Sequence, residues 1–200
     1  MKKTWITIGI VFLIILVVII WPIASGIGAY NKMVGLDEGV KSGWAQVENV
    51  YQRRLDLIPN LVNTVKGVAN FEKETLTQVI EARADATKVT IDPTKMTEAN
   101  FKQFQEAQGR VSSTLSRLMV TVEQYPQLKA TENFKELQSQ LEGTENRIAT
   151  ERRRFNEVAQ EYNTYIRKFF PRIIASFSGF KEKPYFQAEA AAQKAPEVKF

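Results

Sequence analysis

Two polar clusters hold the side chains best suited to chemistry in this 200-residue chain. The first is Gln52-Arg53-Arg54 with Asp56, and the second is Thr144-Glu145-Asn146-Arg147 followed by Arg152-Arg153-Arg154. A guanidinium is a permanently charged fork that matches the two oxygens of a carboxylate or phosphate, so Arg53, Arg54 and Arg147 would suit an acidic ligand. The same side chains, together with Glu48, Asp56, Glu145, Asn146 and Arg152, also suit an internal polar network that fixes the register of packed helices. The network is the preferred reading, because the two clusters would lie side by side if the helices carrying them pair. Its specific expectation is an ion pair between Arg54 and Glu145.

Carboxylate or metal chemistry has less support. Glu142 and Glu145 stand three apart, as do Glu48 and Tyr51, but the inward carboxylates of di-iron bundles come as Glu-x-x-His pairs, and the chain has no His. Without His or Cys there is no imidazole or thiolate metal site, no Cys nucleophile, no Ser-His-Asp triad and no disulfide. No catalytic residue, metal or cofactor is expected. Lys and Arg number 27 against 22 Asp and Glu, interspersed along the chain, which describes a solvated helix surface rather than a nucleic-acid-binding face.

A third cluster lies in residues 164–186, where Arg167, Lys168, Arg172, Lys181 and Lys183 alternate with Tyr165, Phe169, Phe170, Phe177, Phe180, Tyr185 and Phe186. Basic groups gain about 1 kcal/mol each beside anionic lipid, and aromatic rings settle at headgroup depth. The segment is therefore a candidate membrane-surface contact. The alternative is that its rings close one end of a bundle.

The elements that must position these clusters follow from hydrophobic pattern. Residues 5–24 form an uncharged apolar run flanked by Trp5 and Trp21. At about 1.5 Å per helical residue it reaches about 30 Å, the thickness of a bilayer core, and it exceeds the roughly 7–15 apolar residues usual in a cleaved signal peptide. It is expected to remain as a single-pass anchor. Lys2 and Lys3 outweigh Lys32, so the N-terminus is expected to stay cytoplasmic and the rest of the chain to lie outside the cytoplasm.

Beyond the anchor, apolar residues recur at steps of three and four, the period of a helix face. One series runs Val40, Trp44, Val47, Tyr51, Leu55, Ile58, Leu61, Val65 and Val68; a shorter one runs Leu76, Val79, Ile80 and Arg83. A third comprises Phe101, Phe104, Gln108, Val111, Leu115, Leu118, Val122 and Tyr125. The last runs Phe134, Leu137, Leu141, Ile148, Phe155, Ala159, Tyr162, Ile166 and Phe169, with Thr144 and Arg152 at its polar steps. Breaks are expected at Asp92-Pro93-Thr94 and at Tyr125-Pro126, with Thr131 as the N-cap of the last helix. Pro59 falls inside the first series, where it removes the hydrogen bond to the Leu55 carbonyl and predicts a kink within one helix. The expected fold is all-α: a single N-terminal transmembrane helix followed by an antiparallel bundle of about four long helices. Its divisions are a membrane anchor over 1–29, a helical bundle over 30–186 and a flexible tail over 187–200.

The sequence closely resembles the LemA family of bacterial membrane proteins. The resemblance rests on residues 30–72, including Trp44, Gln52-Arg53-Arg54, Asp56-Leu57-Ile58-Pro59-Asn60-Leu61-Val62 and Thr64-Val65-Lys66-Gly67. It rests equally on residues 125–171, including Thr144-Glu145-Asn146-Arg147-Ile148, Phe155-Asn156 and Tyr162-Asn163. Phe155 stands where that family often has Tyr. The resemblance implies a four-helix exported domain on one transmembrane helix, without an established biochemical activity, in the bacterial inner membrane. It also implies association with membrane zinc proteases.

The function expected from all this is a non-catalytic scaffold or interaction protein of the cell envelope. The alternatives are a binding module for an acidic envelope ligand at the arginines and, least favoured, a carboxylate-dependent hydrolase. Summing helix rises returns the end of the last helix to within about 15–20 Å of the membrane. The upper bundle is left short of neighbours on that path, so Val47, Tyr51, Val111 and Leu115 are expected to be covered by another subunit, making the protein a homo-oligomer.

Overall fold

The computed structural model describes residues 2–67 and 71–187. Val68 of the first series and the tail from residue 188 onward lie outside the described residues. Six α-helices follow one another: α1 (Lys2–Lys66), α2 (Lys73–Lys88), α3 (Glu98–Val122), α4 (Pro126–Lys129), α5 (Glu132–Ile166) and α6 (Phe169–Ser178). There is no strand among the described residues. The anchor and the first bundle helix are thus one continuous element, and Pro59 lies within it without ending it.

The breaks have local causes. Asp92 caps a short 3-10 turn, Pro93–Lys95, by accepting from the Thr94 amide at 2.8 Å and the Thr94 hydroxyl at 2.6 Å. These bonds favour the ionised carboxylate and hold its pKa below the usual value. Thr97 and Asn100 then start α3 with a reciprocal capping box. Pro126 occupies the first turn of α4, where its missing N–H has no helical partner to lose. Thr131 directly precedes α5, and its hydroxyl donates back to the Leu128 carbonyl at 2.7 Å. Gly179 ends α6 in the left-handed region, at φ 77°, which a side chain would disfavour.

The chain packs as two compact units, Met1–Gly39 with Gln160–Glu182, and Val40–Ala159 with Lys183–Phe200. The boundary expected at residue 29 falls inside the first unit. In the second unit, the predicted faces of α1, α3 and α5 are buried against one another, with Leu55, Ile58, Leu61, Val111, Leu118 and Leu141 in a shared core. α2 packs on α3 and contributes Leu76 and Val79 to that core, but Ile80, expected on the same face, is 42% exposed. Gly43 lets α5 come close to α1, since a Cβ there would sit 3.1 Å from Val158 Cγ2.

Val47, Tyr51, Val111 and Leu115 are all buried by this chain itself. The expectation that another subunit covers them is therefore not met. The three-helix contact supplemented by α2 already supplies the missing neighbours.

In the first unit the apolar part of α1 is bare. α1 is the one helix among the described residues long and apolar enough to cross a membrane, and none of its most apolar window is buried. Below residue 40 the helix buries Ala29 and Met33, while Ile166, Pro171 and Ala175 are buried on the elements α5 and α6.

Candidate functional site

Arg54 is the centre of the polar arrangement in the second unit. It stands one residue before Leu55 of the first apolar series, on the core-facing side of α1, and its side chain is only 1% exposed. Isolated burial of such a charge would be prohibitive, so its donors must be satisfied. Nη1 donates to Ser112 Oγ at 2.6 Å and to Glu145 Oε1 at 2.9 Å. Nη2 donates to Gln108 Oε1 at 2.6 Å and to the Gln108 carbonyl at 3.1 Å. The guanidinium also lies 5.1 Å from the centre of the Tyr51 ring, a favourable cation–π position. Only Nε, also buried, lacks a protein partner.

Gln108 and Ser112 are one helical turn apart on α3, so both face Arg54, and Glu145 reaches it from α5. A single side chain thereby links three helices. The expected Arg54–Glu145 pair is present in the geometry, but Glu145 is 43% exposed, so solvent screens much of the attraction. The strongest part of the arrangement is the pair of bonds to buried Gln108.

Other members expected in the network go elsewhere. Glu48, Arg53, Asn146 and Arg147 are exposed, and exposed Asp56 accepts from Gln52 at 2.7 Å. Arg152 donates to the Gln187 carbonyl at 2.8 Å and lies over the Phe186 ring at 4.9 Å. Because helix positions one or two residues apart point in different directions, contiguity in sequence had grouped side chains that the helix separates.

Pro59 has its own counterpart. The Leu55 carbonyl, which the residue 59 amide would otherwise satisfy, accepts from Arg83 Nε at 2.8 Å. Arg83, read from sequence as one polar step of the α2 face, is therefore the donor that replaces the missing backbone bond and ties α2 to α1.

Beside Arg54, a groove of about 510 Å³ opens between α3 and α5, lined by Ser112, Leu115, Ser116, Met119, Gln138, Leu141, Glu142, Glu145 and Asn146. Leu115, although buried, forms part of its floor. Glu142 and Glu145 both border it. No group of three or more potential metal-binding His, Cys, Asp or Glu side chains occurs among the described residues.

Further along α1, Trp44 is packed among Phe101, Phe104, Phe155 and Phe186, with ring centres 5.1–6.3 Å apart. Phe186 belongs to the returning C-terminal segment rather than to any helix. Asn156 clamps its backbone, accepting from the Phe186 amide at 2.8 Å and donating to its carbonyl at 2.9 Å. Phe186, expected among the membrane-facing rings, is thus a core residue. A lone aromatic in a non-helical tail carries no periodicity that could have identified this role.

The first unit holds most of the rest of that cluster. Arg167 donates to Glu182 through Nε at 3.0 Å and through Nη2 at 2.5 Å, holding the Glu182 carboxyl below its usual pKa. Lys168 lies over the Tyr165 ring at 5.6 Å, and Phe180 meets Tyr30 edge-on at 5.7 Å. Tyr162 donates to the Lys181 carbonyl at 3.0 Å. Burial, reinforced by the Asp37 charge, raises its phenol well above the usual value and keeps it neutral. Phe169 and Phe177 are 86% and 88% exposed, and Phe170, Ile173, Arg172 and Lys181 are also exposed. Lys183, grouped with these from sequence, is half-buried in the second unit.

Residues 43–200 match the LemA family, and the chain belongs to that family. It is 28% identical over 186 residues to two magnetosome proteins MamQ of Paramagnetospirillum magneticum, covering 84% of this chain and 68% of each of those proteins. It is 22% identical over 162 residues to the protein LemA of Metamycoplasma hominis, covering 81% of this chain and 70% of that protein.

Proposed function

We propose that this LemA-family chain is a single-pass scaffold of the bacterial inner membrane, which holds a closed helical bundle outside the cytoplasm for protein–protein assembly, with no turnover. The observation that carries this reading is the single helix α1, apolar and bare at one end and built into a core at the other. An element of that kind ties the bundle covalently to the membrane through one helix. The polar centre supports it, because the donors of Arg54 other than Nε engage α3 and α5, so the residue serves architecture rather than an acidic ligand.

Self-assembly is part of the proposal, and its surface is the groove between α3 and α5, where half-buried Met119 and Gln138 lie beside exposed Ser116 and Asn146. A photocrosslinking residue replacing Gln138 in the full chain, activated in native membranes, tests this. Adducts at multiples of 22.8 kDa are expected. An adduct of another mass would identify a foreign partner in place of a second copy, and uncrosslinked monomer alone would overturn the assembly reading. Orientation is tested separately. A cysteine replacing exposed Ala130, unique because the chain has none of its own, should react with a membrane-impermeant maleimide applied to the outer face. Labelling only after lysis would reverse the topology.

A further inference from the structure

The exposed apolar residues of α6 are not scattered. With 100° per residue, Phe169, Ile173, Phe177 and Phe170 fall within an arc of about 100°, whereas Arg172 and Ser176 occupy the flank beside it and buried Pro171 and Ala175 point away. A ten-residue helix in water gains nothing by presenting three phenylalanines and an isoleucine to solvent. Position supplies the explanation. Within the first unit α6 packs over Gly26, where a Cβ would lie 3.9 Å from Ile174 Cδ1, and the segment after it meets Tyr30 through Phe180. Gly26 is two residues beyond the end of the apolar run at residue 24, hence about 3 Å farther along the axis. That places it inside the headgroup layer, which adds about 5–7 Å to each side of the hydrocarbon core.

We infer that α6 is an interfacial helix, lying in the headgroup layer beside the exit of α1 with Phe169, Phe170, Ile173 and Phe177 turned into the acyl chains. The inference rests on α1 spanning the bilayer. It differs from an electrostatic surface contact in what does the binding. Arg167 is already paired with Glu182, and Lys168 with the Tyr165 ring, which leaves Arg172 and Lys181 as the exposed cations beside four exposed apolar side chains, so attachment depends chiefly on apolar insertion. The occupant is lipid rather than a second copy because α6 meets α1 at Gly26, just beyond the bare apolar residues 10–21, and neighbouring Ile27 is also exposed.

The test uses the full chain in nanodiscs of phosphatidylcholine and phosphatidylglycerol at three to one, with a nitroxide on a single cysteine replacing Phe177, exposed Ser178 or Val17. Oxygen enriches in acyl chains and a nickel chelate in water, so their collision rates report depth. Phe177→Cys is expected to be protected from nickel several-fold relative to Ser178→Cys, and to remain so when salt is raised to 1 M. A deep Val17 label with equal nickel access at 177 and 178 would overturn the inference while leaving the anchor intact. A shallow Val17 label would overturn both. Spin–spin broadening at 177 between copies, with no oxygen enrichment, would assign the face to a protein interface and also overturn it. Folding is checked on each variant by circular dichroism.

Discussion

The two compact units follow opposite rules with the same kind of helix. In the unit built on Val40–Ala159, the apolar stripe of every long helix is turned inward, and Ile80 and Val120 are the exposed large aliphatic residues among those described. In the unit built on Met1–Gly39 and Gln160–Glu182, most of the large apolar residues face outward, along residues 10–21 and on α6. Helical period alone does not say which side of a stripe is wet. The solvent around each unit decides it: where water surrounds the helices the stripe must be buried, and where lipid does, the stripe is the surface.

The contrast is broken or sharpened most strongly by one pair of aromatic truncations. Trp44→Ala should destabilise the protein by about 3–5 kcal/mol, because it empties the middle of a five-ring cluster. Phe177→Ser should stay within about 0.5 kcal/mol in detergent micelles, since little protein surrounds that ring. Urea unfolding followed by circular dichroism gives both values. Comparable losses at the two sites would show that α6 is packed like the bundle.

Arg54→Ala should cost about 1–3 kcal/mol by leaving buried Gln108 without its donor. A double-mutant cycle with Glu145→Ala should return coupling of only about 0.5–1 kcal/mol, given the exposure of the carboxylate. A value near zero would remove Glu145 from the network.

Arg83→Leu should destabilise the parent by about 1–2 kcal/mol. In a Pro59→Ala background the same change should be close to neutral, because residue 59 then supplies the amide that the Leu55 carbonyl needs. Equal losses in both backgrounds would mean that Arg83 acts only through packing.

The smallest effect is confined to the first unit and depends on pH. The Glu182 pKa is lowered in the folded chain by the Arg167 hydrogen bond, so its contribution is complete above the unfolded carboxylate value and is lost as pH falls through the folded one. A nitroxide on Lys181→Cys should keep constant mobility from pH 8 to about 5 and loosen below about 4. Adding Glu182→Gln should abolish that step.

How much of this was legible depended on whether a residue belonged to a repeat. Trp44, Tyr51, Phe104, Leu118, Phe134 and Phe155 were identified as core because each sits on a three-four series, and all are buried. Arg54 and Glu145 could be paired in advance because they occupy the middles of helices that pack together. Gln108 and Ser112 could not be chosen as partners, since a polar residue at a core step looks the same whether it faces a charge or merely interrupts the stripe. Arg83 was visible only as a polar step, because the carbonyl it serves is defined by a proline on another helix. Phe186 gave no signal, because its burial depends on a chain reversal rather than on a period.

That reversal also sets an order of events during synthesis. Trp44 leaves the ribosome early, close behind the anchor, while the ring of Phe186 that stacks on it is made near the far end of the chain. At about 5–20 residues per second the wait is on the order of ten seconds. Through that interval the aromatic cluster stays open on one side, and Asn156 has no backbone to clamp. The finished bundle is thus available only to a chain whose synthesis has passed residue 186, and a polypeptide cut short before it would expose Trp44 and its neighbouring rings to proteases and quality-control machinery.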